Sequence, residues 1–107
     1  MEWKRKKGKY SVYCGSTWEK KKGSYYILFP FIIHRYLSNP KMWSLSHLPT
    51  GMSIGKFRLL KHTKGCGILL KDFDCFLFPT ADGVVRAYTQ NETGTKIRYI
   101  LSQWQSL

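Results

Sequence analysis

Acidic residues are scarce. Six Asp and Glu stand against 18 Lys and Arg in 107 residues, a formal charge of +12, and from Lys20 to Lys71 there is no carboxylate side chain at all. Lys20, Lys21, Lys22, Arg35, Lys41, Lys56, Arg58, Lys61, Lys64 and Lys71 all lie in that stretch. Neutralisation by a carboxylate within that stretch is therefore excluded. The same shortage argues against an enzyme: a metal-assisted phosphodiesterase needs carboxylates to hold the ion, and Asp72, Asp74 and Asp82 come late with no motif partner. His34, His47 and His62 fall in three separate segments, and His47, at an inward position of a strand, reads as a hydrogen-bonded core histidine rather than a base.

Cysteine is also sparse. Cys14, Cys66 and Cys75 are odd in number and unpaired in spacing; His62 and Cys66 are four apart, but the paired ligands of a structural zinc site are missing. No metal and no cofactor are expected. Long hydrophobic runs are missing too: "YYILFPFII" has nine residues with a proline inside, against the roughly 20 that span a bilayer. It reads as core. The N-terminus lacks the apolar stretch of a secretory signal, so a reducing, cytoplasmic setting without a membrane partner is expected. "TGMSIGK" does not have the spacing of a phosphate-binding P-loop.

What is present is apolar material and positive charge. At 43% hydrophobic and 16% aromatic, the chain carries enough for a core of its own, and its length allows one domain. Lysine outnumbers arginine 13 to 5. That ratio suits point-charge contact with phosphate better than bidentate reading of guanine. An unmixed positive surface repels itself and attracts polyanions, whereas solubility alone is served as well by mixed signs.

Residues 1–8 read as a basic N-terminal arm, and residues 9–107 as a single domain. In "KYSVYC", Tyr10, Val12 and Cys14 alternate with Lys9, Ser11 and Tyr13, the period of a half-buried strand. "GSTWEKKKG", bounded by glycines, reads as a hairpin tip, and "SYYILF" as the returning strand, closed by Pro30. "FIIHRYLSNP" fits a short helix or an extended segment ending at Asn39-Pro40. "KMWSLSHLPTGMSIGKF" gives a second hairpin: Trp43, Leu45 and His47 alternate with serines, and Pro49-Thr50-Gly51 supplies the turn.

The spacing of Leu59, Leu60, Thr63, Cys66, Gly67, Leu70 and Phe73 predicts a helix from about Leu60 to Asp72. "FDCFLFPTADGVV", broken by Pro79 and Asp82-Gly83, reads as a short strand, a turn and a further extended piece. Ile97, Ile100, Leu101 and Trp104 form the stripe of a C-terminal amphipathic helix, with Thr93 or Thr95 as N-cap. The expected fold is α+β: an antiparallel sheet of four or more strands built from two hairpins, with a middle helix and the C-terminal helix packed on one face.

Single-stranded nucleic acid is held by cations that follow the backbone and by rings on which bases stack. Lys4, Arg5, Lys6, Lys7, Lys9, Lys20, Lys21 and Lys22 are the candidate phosphate contacts. Trp3, Tyr13 and Trp18, set among them, are the candidate stacking rings. Lys56, Arg58, Lys61 and Lys64 make a secondary group. A duplex geometry fits these residues equally: the ribbon in a major groove, the arm in an adjacent one. The sequence thus leads to a nucleic-acid-binding protein, for DNA or RNA, acting chiefly through phosphates with low sequence specificity. The rival expectation is an accessory or inhibitory protein, of the kind phages and mobile elements carry, that binds an acidic surface of a nucleic-acid-handling protein.

Overall fold

The computed structural model describes residues 2–14, 17–36, 38–90 and 92–107, and leaves out the Cys14 side chain. Five strands, β1 (Lys4–Cys14), β2 (Thr17–Leu28), β3 (Phe31–Arg35), β4 (Trp43–His47) and β5 (Ser53–Phe57), form one antiparallel sheet in chain order. Three helices follow: α1 (Leu60–Leu70), α2 (Ala81–Tyr88) and α3 (Thr93–Gln105), with a 3₁₀ turn at Asp74–Leu77 between the first two. The chain is therefore α+β, a meander followed by helices, as the alternating first half and the helically spaced second half require.

Pairing register sorts the side chains. Tyr26, Ile33, Leu45 and Gly55 lie across from one another, as do Phe31 and His47, and Trp43 and Phe57. This face carries the core: Phe31, Ile33, Leu45 and Phe57 pack with Cys66 and Leu70 of α1, Phe76 of the 3₁₀ turn, Val84 of α2 and Ile97 of α3. All three helices cover it. His47, fully buried, fastens the layers: Nε2 donates to the Phe76 carbonyl at 2.6 Å, so Nδ1 accepts from the Thr50 hydroxyl at 2.8 Å. At the far edge, the Lys56 N–H of β5 donates to Gln105 Oε1 of α3 at 2.9 Å, which blunts that edge. Among the described residues the β1 edge has no such cover; charged residues line it instead.

Several expectations are corrected here. Residues 4–8 are not an arm but the first half of β1, paired with β2 from Lys4↔Ile27 onward. Lys20–Lys22 are not in a hairpin tip: the ladder continues to Cys14↔Thr17, and Gly15 and Ser16 lie outside the described residues. Gly23, read as a loop boundary, instead faces Gly8 in mid-ladder, with φ of 155° and 141°. "FIIHR" is strand. "FDCFLFPTADGVV" is the 3₁₀ turn and α2, because Thr80 caps the helix by accepting from the Gly83 N–H at 3.1 Å, and Asp82 stands in the first turn. Glycine after aspartate served there as helix interior, not turn. The N-cap of α3 is Glu92 in the left-handed region (φ 62°), with no side-chain cap bond, rather than Thr93 or Thr95.

A candidate nucleic-acid interface

The Gly8–Gly23 pair decides where the basic residues stand. Both glycines occupy the positive-φ region that side chains disfavour, and a Cβ on either would meet nothing within 4 Å. Backbone shape, not crowding, is thus what the glycines supply. Beyond them the ribbon folds over the sheet face opposite the helices. Tyr10 stacks on His34 with ring centroids 5.4 Å apart and meets Tyr25 at 5.2 Å, and Val12 is buried.

Beneath it lies a closed polar cluster. His34 Nδ1 donates to the Arg35 carbonyl at 2.8 Å, Nε2 accepts from the Ser46 hydroxyl at 3.1 Å, and the Ser44 hydroxyl donates to Ser46 Oγ at 3.1 Å. Burial pushes the His34 pKa down, partly opposed by the bond to the carbonyl, and pushes the Tyr10 phenol up, against the pull of Lys21. Alternation with Trp43, Leu45 and His47 marked these serines as the opposite face of β4. Nothing local signalled that a folded-back ribbon buries that face.

The other side of the ribbon points to solvent. Register places Arg5, Lys7, Lys9, Ser11 and Tyr13 of β1 together with Ser24, Lys22, Lys20 and Trp18 of β2 on that face. Exposure follows the same period: Lys20 and Lys22 are exposed, while Lys21 between them is half-buried and pairs with Glu19 at 3.3 Å. Lys9 lies directly opposite Lys22. Among the described residues the ion pairs are Lys21–Glu19 and Lys71–Asp72, so Arg5, Lys7, Lys9, Lys20 and Lys22 have no acidic partner there. The row ends at Tyr13 and Trp18, which are 42% and 51% exposed and meet edge to face at 5.7 Å. Ribbon twist sets this pair against the β4–β5 turn: a Cβ on Gly51 would lie 2.7 Å from Trp18 Cζ3 and 2.8 Å from Tyr13 Cβ.

The remaining candidates divide. Trp3 is committed to the fold: its Nε1 donates to the Lys64 carbonyl at 3.1 Å, and its ring fills the space a Gly67 side chain would need. Lys64 sits over the Tyr26 ring at 4.3 Å, and Arg35 over Trp43 at 3.8 Å, while Tyr26 and Trp43 meet at 6.0 Å. Because Arg5 faces Tyr26 across the ladder, Lys64 adjoins the start of the ribbon row. Lys61, three residues earlier on α1, shares its side. Lys4 and Lys6 are exposed on the other face of β1. Lys56, opposite Ser44, lies on the sheet face that the ribbon folds over, with its ammonium above the Tyr36 ring at 4.8 Å; exposed Arg58 follows β5. The structure aligns the ribbon row and sets Lys64 beside its start at Arg5, while Lys56 lies on the sheet face opposite the helix that carries Lys61 and Lys64. Sequence reasoning missed Arg35 and the Gly51 seat.

Among the described residues no cluster of three or more His, Cys, Asp or Glu is arranged for a metal ion, and no helix is long and apolar enough to cross a membrane. Comparison with protein-family models, with curated proteins and with solved structures finds no match to this chain.

Proposed function

We propose that this protein binds nucleic acid along the outer face of the β1–β2 ribbon, chiefly through phosphates and with little sequence preference. One observation carries the reading. Arg5, Lys7, Lys9, Lys20 and Lys22 stand on one strip without an acidic partner among the described residues, and the strip ends in two exposed rings. Lys9 facing Lys22 costs stability in the free protein, since like charges directly opposite repel, and an anion laid between them relieves it.

The salt dependence of binding tests the reading. Five phosphate contacts give a log–log slope of about −3.5 on a single strand and about −4.5 on a duplex, so affinity falls about a hundredfold or more between 50 and 200 mM salt. An anisotropy titration with labelled DNA and RNA reads this directly. Micromolar protein leaving every probe unshifted at low salt refutes the proposal and favours an acidic protein surface as the target.

A further inference from the structure

Resting on the nucleic-acid reading, we infer that the ligand is single-stranded: a strand lying across the convex side of the ribbon, with one unpaired base stacked on Trp18. Three features of the fold select this over a duplex.

The first is that the ribbon does not project. A β-ribbon reads a major groove by inserting into a channel about 8.5 Å deep. Here the distal half bends at Gly8 and Gly23 and lies on the sheet, with Tyr10 on His34, Val12 buried and the Trp18 edge against Gly51. Only its outer face is free. The second is that the basic residues read as an arm are not free to enter an adjacent groove, because Trp3 is held on α1 through the Lys64 carbonyl and residues 4–8 are paired in β1.

The third is the width of the charge. Opposed Cβ atoms in such a ladder are about 5 Å apart, and same-face neighbours along a strand about 7 Å. The row is therefore one backbone wide, with a repeat close to the phosphate spacing of an extended strand. Duplex phosphates instead flank a major groove about 12 Å across. At the end of the row Trp18 offers a half-exposed ring steadied by Tyr13 and Gly51. Paired bases have both faces covered by their neighbours, whereas an unpaired base has a face to give.

The test compares a 12-nucleotide oligo(dT) with a hairpin duplex of similar charge, at matched salt, on the full chain. The single strand is expected to bind at least tenfold more tightly and to quench tryptophan fluorescence. Trp18→Ala should lose about five- to a hundredfold on oligo(dT), the range of one base–aromatic stack, and little on the duplex; Trp18→Phe should keep most of the affinity. A strand of abasic sites, offered to the unaltered protein, should bind about as weakly as oligo(dT) binds Trp18→Ala, which removes any dependence on how that variant folds. Equal or tighter duplex binding, or an abasic strand bound as well as oligo(dT), overturns the single-strand assignment while leaving phosphate binding intact. Absence of binding to any probe at low salt overturns the nucleic-acid reading itself.

Discussion

Reversing one charge in the ribbon separates stability from binding. Lys22 faces Lys9 across the ladder and has Lys20 two residues away on the same face, with Lys7 on the diagonal. A directly opposed like-charge pair costs about 0.2–1 kcal/mol, and an opposed unlike pair contributes a similar amount. At about 7 Å in water, each of the more distant cations adds roughly 0.6 kcal/mol before screening. Lys22→Glu should thus stabilise the free protein by about 1 kcal/mol at low salt, raising Tm by about 4–6 °C. In 1 M salt, where screening acts within about 3 Å, the gain should vanish. The same variant should bind oligo(dT) about tenfold more weakly, with the salt slope reduced by about 0.7 to 1.4. Thermal unfolding at two salt concentrations, read beside anisotropy, gives all three quantities. A variant less stable than the parent at low salt, or a gain that persists at 1 M, refutes the opposed placement of these lysines.

Trp3→Ala should cost about 3–5 kcal/mol and Trp3→Phe about 1–3, measured by urea unfolding, because the first empties the site over Gly67 and the second removes the bond to Lys64 and part of the ring that fills that site; near-neutral values for both would show that the ring does not anchor β1. His47→Ala should cost about 2–4 kcal/mol by the same method, since it leaves the buried Phe76 carbonyl without its donor and removes the acceptor of the half-buried Thr50 hydroxyl. Burial lowers the pKa of both His34 and His47 in the folded state, so the unfolded chain takes up protons first as pH falls below about 6.5. Stability should be full above that pH and decline below it, by up to about 1.4 kcal/mol per pH unit per histidine, until the lowered folded values are passed; equal unfolding free energies at pH 7.5 and 5.5 would contradict the buried neutral rings. The Cys66 thiol, pushed up to about 12 by burial, should react with thiol reagents at pH 8 only as fast as the fold opens, and mass spectrometry finding it modified in seconds would place it at the surface.

The second hairpin was legible because alternation and turn chemistry agreed over Trp43–His47 and Pro49-Thr50-Gly51. The C-terminal stripe was legible for the same reason of period. The first hairpin was misread because Gly8 and Gly23 each resemble a boundary when taken singly. That they face one another is a property of register, which no window of a dozen residues contains. Thr80 to Gly83 was misread because capping residues and turn residues are the same types, serving different backbones. For the candidate site, the chemistry was visible and the geometry was not. The cations and rings were identified by type, but the face each occupies follows from pairing parity, which sends Lys22 outward, Lys21 inward and Lys56 onto the sheet face opposite the helices.

β1 is an edge strand with one side of its backbone open, and its lysines keep that side from recruiting another strand. Whatever neutralises them lifts the guard. Under the proposed function, occupancy by a polyanion and lateral growth of the sheet would therefore be linked: saturating ligand at low ionic strength would favour two such edges meeting along one strand.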